Sequence, residues 1–196
     1  YRLDGRVALV TGGGHGIGRH MSIGLAEAGA DVIVVGRKLP PLQEVAEAIE
    51  AMGRRCWVLQ ADVSDTQSID VLVATVAERV DRLDILVNNA GMVWAAPTLD
   101  YPMSGWDKVF DLNVRGLFYL SQQVAKGMKA QGGGSIINIS SISAWRCATD
   151  AHEPVVAYNA SKGAVIALTR DMAVKLAADN IRVNSIAPGA FLTDTM

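Results

Sequence analysis

Short β-branched runs alternate with longer amphipathic ones along this chain: RVALV, IGRHMSIGLAEA, DVIVV, PPLQEVAEAIEAM, CWVL, TQSIDVLVATVAERV and DILVNN. That order specifies repeated βαβ units around a parallel sheet. A long helix near residues 104–128, a strand SIINIS, a helix from about Val155 to Ala178 and a strand RVNSIA continue the series, giving six strands and five main helices. Helix ends carry their own punctuation. Ser64 followed by Gln67 reads as a capping box, and Gly29 and Gly53 follow helical runs as C-terminal stops. No linker, repeat or low-complexity tract interrupts the pattern.

The first strand runs directly into TGGGHGIG, residues 11–18, which opens the first helix. Open α/β sheets bind nucleotides at such a strand-to-helix turn. Glycines let the backbone approach a pyrophosphate, and the amides and dipole of the helix N-terminus favour negative charge. The spacing is GxxxGxG, carried by Gly12, Gly16 and Gly18, rather than the general GxGxxG, because Ile17 stands where a third glycine would fall.

With 196 residues, half of them hydrophobic, the chain has the size and composition of one globular domain with a sizeable core. Lysine plus arginine number 18 against 20 aspartate plus glutamate, without a basic tract or acidic tail, so no electrostatic feature points to nucleic acid or membrane. Runs such as Val7 to Val10 are too short to span a bilayer, and no signal-peptide pattern opens the chain; the expected location is cytoplasmic. Cys56 lies in a strand-like run and Cys147 in a polar loop, with no metal-ligand spacing around either, so reduced thiols and no bound metal are expected.

Two sets of reactive groups lie within ATDAHEPVVAYNASK, residues 148–162. Asp150 and His152, with Ser140 or Ser141 nearby, are the residue types of a hydrolase, but no GxSxG elbow or oxyanion motif accompanies them. Tyr158 and Lys162, four apart, share one face of a helix one turn from each other. A tyrosine, with an ordinary pKa of about 10, is a poor acid or base near neutrality, and a close ammonium favours its phenolate.

TGGGHGIG, NNAG at 88–91, YNASK at 158–162 and PGAFLT at 188–193 together resemble, in order, the landmarks of the short-chain dehydrogenases/reductases. The resemblance covers nearly the whole chain, and the stretch NNAGMVWAAPTLDYPMSGWD is most similar to gluconate dehydrogenase-like and rhamnolipid-type 3-oxoacyl reductase-like members. It implies a three-layer Rossmann fold with a doubly wound parallel sheet, six strands here and a seventh in the full-length protein. Residues 1–196 would then form a single NADP(H)-binding catalytic domain without its C-terminal lid and last strand. The implied catalytic set is Asn113, Ser141, Tyr158 and Lys162. Tyr158 passes the proton, Lys162 also bonds the nicotinamide ribose, Ser141 holds the substrate oxygen, and Asn113 continues a proton relay through water. Ser140 is the rival to Ser141.

The implied cofactor contacts are Gly12, Gly14, His15, Gly16, Ile17 and Gly18 in the loop and Asp62 at the adenine with Val63 beside it. Asn89, Ala90 and Gly91 form a backbone ledge, and Pro188, Gly189 and Thr193 lie at the nicotinamide, with Tyr158 and Lys162 completing the set. At the end of the second strand, where an acidic residue would select NAD, the chain has Arg37 and Lys38. A planar cationic fork there suits a 2′-phosphate, so NADP(H) is the expected cofactor and NAD(H) the second option. The expected reaction is hydride transfer between NADP(H) and a carbonyl/secondary-alcohol pair, with polyols, sugar acids and 3-oxoacyl compounds all open. The alternative is a non-catalytic NADP(H)-binding sensor or regulator. Family helices matching residues 106–128 and the Tyr158 helix pair across a two-fold axis, which implies a homodimer or homotetramer. Ser141 and Tyr158 are 17 residues apart, a longer interval than in most members, and Trp94, Trp145, Arg146, Cys147 and His152 are candidate pocket-wall residues.

Overall fold

Each short β-branched run sends alternate side chains to opposite faces, and because these runs are apolar at nearly every position both faces must be covered. The computed structural model, which describes residues 2–191, shows how. Six strands, β1 (Val7–Thr11), β2 (Asp31–Gly36), β3 (Cys56–Gln60), β4 (Ile85–Asn88), β5 (Gly134–Ile139) and β6 (Ile181–Ile186), form one sheet in the order β3-β2-β1-β4-β5-β6. Every neighbouring pair is parallel. The alternation divides the core in two. Leu9, Ile33, Val35, Leu86 and Ile136 face one cluster, whereas Val10, Val32, Val34, Val87 and Ile139 face the other.

Helices α1 (Gly16–Glu27) and α2 (Leu39–Glu50) close the second cluster with Ala26, Leu42, Val45 and Ile49. The first is closed by Ile69 and Leu72 of α3 (Thr66–Arg79), by Leu120 and Met128 of α5 (Leu117–Ala130), and by Met172 of α6 (Val156–Leu176). The crossovers from β1 and β2 run outward on one face, while those from β3, β4 and β5 run on the other. The direction therefore reverses between β1 and β4, and the crevice above their C-terminal ends is where an open α/β sheet of this order binds ligands.

Three local details differ from, or refine, the sequence reading. The expected capping box is not formed. Asp65 is the N-cap of α3 and accepts from the Gln67 amide at 3.1 Å, while the Ser64 hydroxyl donates to the Asp62 carboxylate at 2.6 Å. A charged acceptor outcompetes the helix end for the serine. The helix expected over 104–128 is α4 (Met103–Phe110) joined to α5 through a π-helical turn at Asp111–Gly116. A π turn slips the helical register by one residue, and because this segment is apolar on more than one face its periodicity does not reveal the slip. Gly29 (φ +106) and Gly53 (φ +75) end α1 and α2 in the left-handed region, as helix stops do. Among the described residues both cysteines are free, no helix is long and apolar enough to cross a membrane, and no three His, Cys, Asp or Glu side chains cluster as a metal site needs.

Candidate active site

A cleft of about 970 Å³ opens at that reversal point. Its near end is the glycine loop. Gly12 (φ +64) and Gly16 (φ +49) adopt a backbone that side chains disfavour, and a Cβ at Gly18 would collide with the Gly12 carbonyl and the Asn89 amide. The Thr11 hydroxyl accepts from the Asn89 and Ala90 amides, each at 3.0 Å, and Asn89 Nδ2 donates to the Thr11 carbonyl at 2.9 Å. These bonds tie the ends of β1 and β4 together as the floor of the cleft. Above it, α1 begins at Gly16 after His15, which makes no side-chain cap bond, and no acidic residue occupies the first turn. The first amides of α1 are thus left for an anion, and the cradle fits a pyrophosphate.

Gly14, His15 and Ile17 line this end, as do Arg37 after β2 and Asp62 and Val63 after β3. Arg37 Nη1 stands 4.0 Å from Asp62 Oδ2. Burial works to raise the Asp62 carboxyl, but bonds from the Ser64 hydroxyl and amide, with the Arg37 charge, hold it below the usual carboxylate range. Asp62 is therefore an anion fixed in position beside a cation that is three-quarters exposed.

The far end of the cleft gathers the expected reacting groups. Tyr158 and Lys162 both line it from α6, with Lys162 Nζ 5.6 Å from the tyrosine ring centroid. Lys162 is only 4% exposed, and its ammonium donates to the Ile139 carbonyl at 2.7 Å. Burial pulls its pKa down from 10.5 to about 8. The two serines divide their work. Ser140 donates to the Lys162 carbonyl at 2.9 Å, holding α6 against the end of β5, whereas the Ser141 hydroxyl accepts from the Ser143 amide at 3.1 Å and keeps its own proton available to the cleft.

Asn113, in the π turn, clamps both sides of the Met92 peptide: Oδ1 accepts its amide at 2.9 Å and Nδ2 donates to its carbonyl at 3.0 Å. Nδ2 also donates to Ser161 Oγ, which donates to the Tyr158 carbonyl. A Cβ on Gly91 would lie 3.3 Å from Asn113 Oδ1 and 3.4 Å from Lys162 Nζ, which shows how closely the NNAG ledge and the two polar groups meet. Pro188 and Gly189 line the same end, and the Pro188 carbonyl accepts from the Ile142 amide at 3.1 Å. Thr193, expected here, lies outside the described residues.

One cleft thus runs from an anion cradle to a tyrosine–lysine pair, and the model of the short chain dehydrogenase family matches residues 6–196. This chain belongs to that family. The chain is 40% identical to the 2-dehydro-3-deoxy-D-gluconate 5-dehydrogenase of Dickeya dadantii over 99% of this chain and 75% of that one. It is also 40% identical to the rhamnolipids biosynthesis 3-oxoacyl-[acyl-carrier-protein] reductase of Pseudomonas aeruginosa, over 97% of this chain and 75% of that one. A solved 7 alpha-hydroxysteroid dehydrogenase, complexed with NADH and 7-oxo glycochenodeoxycholic acid, superposes with a TM-score of 0.93 at 39% identity, over 99% of this chain and 74% of that one. The fold expected from sequence is the one found, and the chain is an oxidoreductase of a family acting on alcohol and carbonyl groups.

In this short-chain dehydrogenase Asp150 and His152 do not form a hydrolytic pair, and neither lines the cleft. Asp150 accepts from the Thr98 amide at 2.9 Å and the Thr98 hydroxyl at 2.8 Å, and His152 Nδ1 pairs with Thr149 Oγ1 at 2.8 Å. With the Ala96 amide donating to the Pro154 carbonyl at 2.8 Å, the Asp150–Thr98 bonds fasten the long Ser141–Tyr158 connection to the segment after NNAG. Trp94 is a brace rather than a wall: its ring lies against Gly105, Lys108 sits 5.1 Å above it, and its carbonyl accepts from the Tyr101 hydroxyl at 2.9 Å. Trp145, Arg146 and Cys147 are exposed and stand outside the cleft lining. Asp150→Ala is expected to speed amide exchange in 96–100 and 148–153 while leaving the glycine loop unchanged, as hydrogen-exchange mass spectrometry would show; equal protection in both proteins would mean that the clasp carries no order.

Sequence reading missed Thr11 as a floor bolt, Ser161 as the link from Asn113 to the tyrosine turn, and Gly116. A Cβ at Gly116 would collide with the Val63 carbonyl, so the π turn can approach the cleft wall only there. Thr11 stood beside the glycine loop and was the one legible in principle. The others depend on contacts across distant elements.

Proposed function

We propose that the protein catalyses reversible hydride transfer between NADP(H) and a carbonyl/secondary-alcohol pair, with Tyr158 as the general acid/base. The observation that carries this reading is the single cleft joining the glycine cradle to Tyr158 and Lys162. The dinucleotide would lie along it, with its pyrophosphate on the amides of Gly14 to Gly18 and its adenosine between Asp62, Val63 and Arg37. The Asn89–Gly91 backbone would meet the ribose, and Pro188 and Gly189 the nicotinamide. When bound, the cofactor supplies or accepts the hydride. The Ser141 and Tyr158 hydroxyls then orient the substrate oxygen, and Tyr158 gives it a proton in reduction or takes one in oxidation. The Lys162 ammonium would stabilise the phenolate left behind and bond the ribose hydroxyls of the bound cofactor. Asn113 and Ser161 keep the tyrosine turn aligned with the ledge at Met92.

Arg37 supports NADP(H) over NAD(H), because its exposed guanidinium stands beside the adenosine end where a 2′-phosphate would sit. Arg37→Asp is expected to lower the ratio of NADPH to NADH efficiency by about 10–100-fold, the value of one or two charge-assisted bonds. An unchanged ratio in steady-state assays would overturn the assignment. Phe118 on α5 and Val174 on α6 are exposed apolar residues on the two helices expected to pair with a second copy, which supports a homodimer or homotetramer. The reading as a whole is tested by following NADPH absorbance of the full-length protein against a carbonyl panel. Tight NADPH binding without turnover of any carbonyl would sink it.

A further inference from the structure

We infer that the substrate end of the cleft selects neutral ketones and secondary alcohols with an apolar body and disfavours sugar acids, an inference that rests on the dehydrogenase reading above. Charge along the cleft is unevenly distributed. Arg37, Lys38 and Asp62 line the adenosine end, and among the described residues the one charged residue lining the reacting end is Lys162, whose ammonium is buried against the Ile139 carbonyl beneath the tyrosine. What lines the cleft around the Ser141 and Tyr158 hydroxyls is Met92, Val93, Pro188 and Phe191. Their placement follows from the chain: Met92 is clamped by Asn113 next to Ser161, and Pro188 is bonded to Ile142, the residue after Ser141.

Two of these are apolar side chains left open to solvent, Val93 at 52% and Phe191 at 54% exposure. An apolar substrate body would cover such surface and gain from it. A substrate carboxylate would instead lose water there without a cation to replace it. Apart from Arg146, the charges on the adjoining segments do not supply one. Asp150 is held by Thr98, the Glu153 carboxylate accepts from Ser143 at 3.4 Å, and Lys108 sits over the Trp94 ring. The nearest competing arrangement is Arg146, an exposed cation on the same connection with no ion pair among the described residues.

The test uses the full-length protein with NADPH and three probes: decalone as a neutral apolar ketone, fructose as a neutral polar one, and ketogluconate as an anionic one. Decalone is expected to have a kcat/KM about 10–100-fold above both others, the gain of burying a few methylene groups. Val93→Arg should narrow the decalone-to-ketogluconate ratio by about tenfold, and Arg146→Ala should leave that ratio unchanged. Ketogluconate equal to or better than decalone overturns the inference, and loss of that preference in Arg146→Ala would identify the cation responsible. Turnover of ketogluconate alone keeps the dehydrogenase reading and removes this one. If no probe turns over, the same compounds are titrated into the protein–NADP+ complex by tryptophan fluorescence; decalone binding more tightly than ketogluconate supports the inference, and any other order, or no binding, overturns it.

Discussion

Tyr158→Phe is expected to lower kcat by about 10²–10⁴-fold, the usual value of a positioned acid/base, while NADPH affinity and thermal stability stay close to wild type. The phenol is partly exposed at the far end of the cleft, and among the described residues its hydroxyl makes no hydrogen bond that holds the fold. Its backbone carbonyl, which accepts from Ser161, is untouched by the substitution. The helix, the Asn113 clamp and the buried lysine should therefore survive intact. Only the proposed proton donor is removed. Stopped-flow measurement of the hydride step, beside a fluorescence titration with NADPH, separates the two effects. Full activity in this variant would remove Tyr158 from the chemistry. Parallel loss of NADPH binding would show instead that the ring shapes the cofactor site.

Much of the framework needed to argue this was legible in local sequence, for physical reasons. β-Branched runs such as VALV and VIVV have few alternatives to a covered strand, and GxxxGxG between a strand and a helix has few uses besides cradling an anion. Tyr158 and Lys162 were legible because four residues make one helical turn. What stayed hidden depended on contacts between distant segments. Asn113 is a clamp on Met92 only because a π turn brings it under the ledge, and Ser140 and Ser141 part company only once α6 lies against β5. Asp150 offers the plainest case. An acid beside a histidine reads as chemistry in one dimension, and in three it fastens a long connection to Thr98.

The second large effect concerns stability as well as activity. Lys162→Met is expected to abolish turnover and at the same time to make the cofactor-free protein at least as stable as wild type near pH 7. The folded ammonium loses its proton at about 8, the unfolded one at 10.5, so between those values the unfolded chain holds the extra proton. Raising the pH through that window stabilises the folded wild type, and below about 8 the full cost of burying the charge is present. At about 1.4 kcal/mol per pH unit, that cost is roughly 3 kcal/mol. Methionine removes it and leaves the Ile139 carbonyl without its donor, a loss of about 1–3 kcal/mol. The two nearly offset at pH 7. At pH 10.5 only the loss remains, and the variant should be the less stable protein. Urea unfolding of both proteins without cofactor, at pH 7 and 10.5, should therefore show their difference moving by about 3 kcal/mol toward wild type. Parallel stabilities at the two pH values would mean that Lys162 meets no desolvation cost in the free enzyme. A buried cation whose desolvation cost offsets what its bond gives the fold at pH 7 accords with the reaction role proposed for Lys162.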